Sequence, residues 1–180
     1  MEPGYEHEEL YGFRLFFPSQ SYPSESIRPT VEELHRRLEE RPEVAGAAVM
    51  SDIPLRGGYS ATYMWLADAT GDEDRIRFYL HRVGPDWFST MGTRVPRGRG
   101  IEAADARDDR QVAVISEALA DRFFPGENPL GETIHLGTRD DDGHVVVGVA
   151  EDVRYRDLTT DIRGGADDPD VYVPWERYPN

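Results

Sequence analysis

The stretch Val112–Gly131 constrains the fold most, because it places a strand, a helix and a turn in direct succession. Its first residues, Val112–Ile115, form a short all-apolar run that is typical of a buried strand. Ser116 can then cap a helix by accepting from the free N–H groups of the first turn, and Pro125 ends that helix. A turn follows, and Thr133–Leu136 is the next strand. The stretch is packing and turn chemistry, with no nucleophile–base pair and no metal cluster in its sequence.

Apolar alternation predicts further strands along the chain. These predicted strands are Tyr11–Phe17, Val44–Met50, Tyr59–Leu66, Arg75–Val83, His144–Val153 and Val171–Trp175. Gly148 is a candidate bulge, and Pro174 predicts that the last strand lies at a sheet edge. Thr30 and Glu33 match a capping box, so a helix is expected to begin at Thr30 and to end before Pro42.

Composition excludes several classes of function. The net charge is −15, which repels nucleic acid and anionic membrane surfaces, and the chain has no cysteine for disulfides or thiolate chemistry. All 20 basic residues are Arg, and GC-rich coding and adaptation to high salt are the two alternative explanations for this composition. No apolar run approaches the ~18–20 residues that span a bilayer, and the acidic start has no signal-peptide pattern.

The motifs for metal, nucleotide and catalysis do not occur. The five histidines are scattered without an H-E-x-x-H pair, and no P-loop or G-x-S-x-G elbow is present. Asp140–Gly143 lacks the alternation of a calcium loop and predicts a hairpin turn. We therefore expect no catalytic residue, no cofactor-binding residue and no metal ligand, so the chain is not expected to be an enzyme.

Two groups of side chains are candidates for partner or lobe-interface contacts. The aromatic group either lines an apolar groove or fills the core and the lobe interface. The basic group either docks a partner or pairs with acidic residues of its own loop, such as Glu102, Asp105 and Asp108. The candidate residues are Trp65, Trp87, Trp175, Arg97 and Arg99, with Arg94 in the same basic cluster.

Several segments, in this order and spacing, resemble a known family. They are VGPDWFSTMGTRVPRGRG (83–100), QVAVISEALADRFFPGENPLGETI (111–134), VVGVAEDVR (146–154) and VYVP (171–174), with RPEVAGAAVMSDIPL (41–55) upstream. Together they resemble the MacB-type periplasmic core domain of ABC transporter permeases in the MacB/FtsX-like superfamily. The chain departs from the usual pattern at Ile101–Glu102, where a phenylalanine and an acidic residue are common, and at Ser116, where an asparagine is common.

The resemblance implies an α+β, bilobed fold. An α/β lobe similar to the porter subdomains of efflux pumps is expected from residues 11–92 with 171–178. A smaller, mostly-β lobe is expected from residues 93–170, and residues 1–10 are expected to be a flexible start. The domain is expected to be part of a longer chain, between the first and second transmembrane helices of the permease.

The resemblance also implies a function. We expect a non-catalytic extracytoplasmic domain of an inner-membrane permease, which couples ATP-driven motion of the membrane part to export or mechanotransmission. ATP is expected on a separate cytoplasmic domain or subunit. The expected partners are that ABC ATPase, a periplasmic adaptor and a second permease copy. The alternative is a periplasmic binding module of the same fold that captures a hydrophobic ligand or lipoprotein between its lobes.

Overall fold

The fold is described by a computed structural model that covers residues 4–5, 8–18, 20–51, 53–54, 60–107, 111–138, 142–155 and 169–175. The helices are α1 (Ser24–Glu39), α2 (Trp87–Thr90), α3 (Ala103–Arg107) and α4 (Glu117–Phe123), with a 3-10 turn at Asp72–Asp74. The strands are β1 (Ser60–Leu66), β2 (Ile76–Val83), β3 (Arg97–Gly98), β4 (Val112–Ser116), β5 (Thr133–Leu136), β6 (His144–Ala150) and β7 (Asp170–Pro174). Within the described residues, no helix is both long enough and apolar enough to cross a membrane.

All seven strands belong to one mixed sheet, in the order β3-β6-β4-β7-β2-β1-β5. β5 also pairs with β6, and this pairing closes the sheet on itself. β4 runs parallel to β6 and antiparallel to β7, whereas β7 runs parallel to β2. Helices and a mixed sheet make the fold α+β, as the sequence predicts.

The central strands are buried on both faces. Every residue of β4 and of β7 is buried, which agrees with the apolar runs Val112–Ile115 and Val171–Val173 within them. Successive side chains point to opposite faces. Ala113 and Ile115 join one apolar cluster, whereas Val112 and Val114 join another. One sheet therefore carries a core on each face.

The succession of strand, helix and turn that the sequence predicts around Ser116 is confirmed. The Ser116 hydroxyl accepts from the N–H of Leu119 at 3.3 Å, and α4 begins at Glu117. The strands predicted at Tyr59–Leu66 and Arg75–Val83 correspond to β1 and β2, which pair with each other antiparallel. The β4–β6 register shifts between Ala113 and Val114, opposite Val146 and Gly148, which agrees with the predicted bulge.

Four local predictions are wrong. Tyr11–Phe17 forms no strand, and Val44–Met50 forms only an isolated bridge from Met50 to Val83. α1 begins at Ser24 rather than Thr30, and it contains Pro29. The last strand is central and not an edge, because β7 lies between β2 and β4. Pro174 is the last residue of the strand and lies beyond Val171 and Tyr172, the two residues that pair with β4.

The predicted lobe boundaries stay a prediction. Residues from both predicted segments contribute strands to the same sheet, with β1 and β2 from the first and β3 to β6 from the second. The turn predicted at Asp140–Gly143 begins outside the described residues. Residues 1–3 and 6–7 of the predicted flexible start, residues 1–10, lie outside them as well.

Candidate functional site

The three tryptophans lie inside the domain. Trp65, Trp87 and Trp175 are 7%, 1% and 9% exposed. The Trp87 ring packs edge-on to Phe88 with centroids 4.9 Å apart, and its indole N–H faces the sulfur of Met50 at 3.2 Å. The structure therefore places these side chains in the packed interior, as one of the two sequence interpretations expects.

A buried histidine–aspartate pair lies beside this aromatic cluster. His81 Nε2 is 2.8 Å from a carboxylate oxygen of Asp170, and neither side chain is exposed. The His81 ring stacks on Tyr155 and Tyr172, with centroids 4.0 and 5.3 Å apart. No sequence pattern indicates the pair, because its members are 89 positions apart.

Ser116 brings a hydroxyl close to this pair without completing a catalytic triad. Its oxygen accepts from the backbone N–H of Asp170 at 3.2 Å and from that of Leu119 at 3.3 Å. The Asp170 carboxylate contacts His81 instead. A triad needs the hydroxyl to contact the imidazole, whereas the hydrogen bonds of Ser116 Oγ are both with backbone N–H groups. Serine, histidine and aspartate therefore join α4, β7 and β2 structurally.

Arg99 pairs inside its own loop. Its guanidinium donates to both carboxylate oxygens of Asp105, at 2.7 and 2.8 Å, and to the carbonyl of Gly100 at 2.9 Å. Asp105 is 1% exposed and also accepts from the N–H of Glu102 at 2.9 Å. The hydrogen bond to Asp105 raises the pKa of Arg99 above its usual value. The loop-internal alternative is therefore confirmed for Arg99.

The other arginines of the basic cluster are placed differently. Arg97 lies in β3 opposite Val149, where it is half-buried. Arg94 is 80% exposed and reaches Glu151 at 2.5 Å rather than an acidic residue of its own loop. This contact raises the pKa of Arg94. The cluster is thus dispersed over β3 and its flanks and does not form one basic surface.

Two surface features were not found by sequence patterns. The first is a group of exposed apolar side chains before α1, namely Leu10, Tyr11, Phe13, Leu15, Phe16 and Tyr22. The second is a cluster of His35, Glu39 and Asp86, each offering a ligand atom within 4.8 Å of the others. Motif spacing could not find this cluster, because Asp86 comes from a different element than His35 and Glu39.

Comparison with known proteins decides the family. Residues 9–180 match the MacB-like periplasmic core domain. The chain belongs to this family. The fold is similar to that of the periplasmic region of MacB from Actinobacillus actinomycetemcomitans, with a TM-score of 0.57 and 18% identity over 81% of this chain and 55% of that one. It is also similar to that of the extracellular domain of the transporter YknZ from Gram-positive bacteria. Here the TM-score is 0.54, with 18% identity over 81% of this chain and 63% of that one.

Sequence relatives are longer proteins that carry the name macrolide export ATP-binding/permease protein MacB. The relative from Neisseria gonorrhoeae is 36% identical over 31% of this chain and 8% of its own length. The relative from Aggregatibacter actinomycetemcomitans is 32% identical over 41% of this chain and 11% of its own length. The match thus spans about a tenth of these relatives. The chain is a periplasmic domain of the type found in ABC transporter permeases, which places it on the extracytoplasmic side of the membrane.

Proposed function

We propose that this chain is a non-catalytic domain that couples ATP-driven motion of an ABC permease to export or to mechanotransmission across the envelope. The observation that carries the proposal is the family match over residues 9–180. The packed interior supports the proposal as well, because the side chains of Ser116, His81 and Asp170 are engaged in packing and backbone contacts.

The sheet gives this proposal a physical basis. β7 pairs with β2 on one side and β4 on the other, and all five of its residues are buried. A force applied at Trp175, which follows β7, therefore reaches the centre of a closed sheet rather than a frayed edge. Close-packed interiors transmit strain, so we expect the sheet to move as one unit.

The proposed partners follow from the same family. We propose an ABC ATPase domain or subunit on the cytoplasmic side as the part of the transporter that binds ATP. A second permease copy and a periplasmic adaptor are the further partners that we propose. The net charge of −15 supports the expectation that nucleic acid is not a partner. The whole protein is proposed to lie in the inner membrane.

Distance measurements in the full permease test the coupling. The chain has no cysteine, so single spin labels are readily placed at the exposed residues Ser89 and Asp121. We expect the distance between these two labels to stay constant with ATP and vanadate. The distance from Asp121 to a label on the membrane part should shift, and an ATPase-inactive permease should show no shift. A transporting permease in which neither distance changes contradicts the proposal.

The exposed apolar side chains favour the second candidate function, capture of a hydrophobic ligand or lipoprotein. Tyr11, Phe13 and Phe16 are 88%, 60% and 84% exposed, which is unusual for a run of large apolar residues. A ligand that binds the folded state raises its melting temperature in a saturable manner. Saturable stabilisation by a hydrophobic ligand, lost in a Phe13→Ser/Phe16→Ser variant, would favour capture over coupling alone.

A further inference from the structure

His35 faces two carboxylates at the end of α1. Glu39 lies one turn further along the same helix, and its Oε2 is 3.6 Å from His35 Nδ1. Asp86 is the residue before α2, and its Oδ2 is 3.8 Å from His35 Nε2. One ligand atom from each residue lies within 4.8 Å of the other two. Two elements that are distant in sequence thus bring one imidazole and two carboxylates together, with each carboxylate nearest a different ring nitrogen.

The imidazole is oriented by a contact outside this cluster. His35 Nε2 is 2.8 Å from the carbonyl oxygen of Ala47, and a carbonyl can only accept, so Nε2 carries a proton. In the neutral ring, Nδ1 then has the lone pair, on the side where Glu39 lies. Metal-binding histidines typically donate their other ring N–H to a carbonyl or carboxylate. The Ala47 contact therefore provides the outer support that such a ligand requires.

The carboxylates can adjust to an ion. Glu39 and Asp86 side chains are 48% and 49% exposed, whereas His35 is 21% exposed. Ligands of a tetrahedral Zn²⁺ with bonds of about 2.0–2.1 Å lie about 3.3 Å apart. Glu39 is 3.6 Å from Nδ1, close to this value, whereas Asp86 lies nearest Nε2, so the exposed Asp86 side chain has to rotate toward Nδ1 to complete the site.

We propose that His35, Glu39 and Asp86 bind one divalent transition-metal ion, with Zn²⁺ best matched to one nitrogen and two carboxylate oxygens. Three protein ligands leave one position of a tetrahedral ion for water. Two carboxylates with a neutral imidazole give the cluster a charge of about −2, which a divalent cation neutralises. The proposal rests on these side chains and is independent of the transport function.

Binding would fasten α1 to the sheet. Val31 is the one buried residue assigned to α1 among the described residues, so the helix is held by a small apolar contact. Asp86 precedes α2, which packs into the interior through Trp87 and Phe88. A metal bridge between Asp86 and the last turn of α1 therefore couples the exposed helix to the buried core.

Calorimetric titration of the tag-free, metal-depleted 180-residue chain with ZnCl₂ tests the site. We expect one saturable site per chain that persists with a hundredfold excess of Mg²⁺, because Mg²⁺ prefers all-oxygen ligands. His35→Gln, Glu39→Gln and Asp86→Asn should each weaken binding by at least about tenfold. Glu40→Gln is the matched control, since it removes the adjacent carboxylate with the same change in charge. It should bind as the parent chain does.

A second measurement reports the ligands directly. Co²⁺ bound at the site should give visible absorption bands that are lost in His35→Gln, and circular dichroism should show that each variant is folded. The proposal is overturned if the parent chain does not bind Zn²⁺. It is equally overturned if Mg²⁺ displaces Zn²⁺, or if Glu40→Gln weakens binding as much as Glu39→Gln. Either of the last two outcomes would show that Zn²⁺ is attracted only diffusely to an acidic surface.

Discussion

His81 on β2 and Asp170 on β7 join two parallel neighbouring strands through a 2.8 Å side-chain contact that water does not reach. In the strand register His81 lies opposite Tyr172, so the contact runs diagonally across the pair. The aromatic rings of Tyr155 and Tyr172 flank the imidazole. The pair fixes how β7 enters the centre of the sheet.

Removing one member of this pair should destabilise the domain strongly. Asp170→Ala leaves His81 buried without the Asp170 carboxylate. Removing one partner of a buried pair typically lowers the unfolding free energy by about 3–5 kcal/mol. We expect a lower urea midpoint with an unchanged slope. Asp68→Ala, at an exposed position, is the control and should change stability by less than about 0.5 kcal/mol.

A double-mutant cycle separates the pair from its surroundings. His81→Leu combined with Asp170→Val replaces both polar groups by apolar ones of similar size, which is often close to neutral for buried ion pairs. The double variant should therefore be more stable than either single variant, His81→Leu or Asp170→Val. If the effects of single and double variants simply add, the two side chains do not interact and the assigned pairing is wrong.

The elements that sequence analysis predicted correctly have local signals. Ser116 follows an apolar run and precedes a helix, so its cap could be read from adjacent residues. The alternation in β2 likewise predicted a strand with one buried face. The apolar alternation of Tyr11–Phe17 was equally clear, yet it forms no strand in the described structure. Alternation reports a suitable sequence and not the presence of a pairing partner.

The contacts that sequence analysis missed are non-local. Nothing in the residues around Asp170 indicates His81, and nothing around His35 indicates Asp86, because the closure of the sheet and the docking of α1 bring them together. The central position of β7 was missed for the same reason. Pro174 suggested an edge, but strand order depends on which distant strands pair.

A methyl group at Gly148 should disrupt the contact between β3 and β6. A Cβ placed there would lie 2.0 Å from the carbonyl oxygen of Arg99, a distance that requires backbone movement. We expect Gly148→Ala to destabilise the domain by about 1–3 kcal/mol or more, as overpacking does. Gly12→Ala is a suitable control, because its Cβ would meet Ile53 at an ordinary 3.4 Å. Equal melting temperatures for the two variants would contradict this prediction.

Arg99 should not be replaceable by lysine. Its fork donates to both oxygens of the buried Asp105, and a lysine ammonium cannot reproduce this planar, two-point contact. We expect Arg99→Lys to lower the unfolding free energy by about 1–2 kcal/mol and Arg99→Ala by more, because Asp105 is then left buried. Arg94→Lys, at an 80% exposed side chain, should stay within about 0.5 kcal/mol of the parent in urea unfolding. If Arg99→Lys and Arg94→Lys lowered the unfolding free energy by similar amounts, the two-point contact of Arg99 would have no special role.

Glu33 should titrate far below an ordinary glutamate. Hydrogen bonds from Arg36 and then Arg37 lower its pKa from 4.5 to about 2. A carboxyl whose pKa is lower in the folded state contributes stability above its unfolded pKa, and this contribution is lost as the pH falls through the folded value. The effect should be small and salt-sensitive, because the ion pairs are solvent-exposed.

Carboxyl-detected NMR of α1 should show a midpoint near 2 for Glu33, and Arg36→Gln should move it upward. The melting temperature of Glu33→Gln should fall below that of the parent at pH 6 and approach it at pH 2. A Glu33 midpoint above 4 in the parent chain would show that these arginines do not engage it in solution.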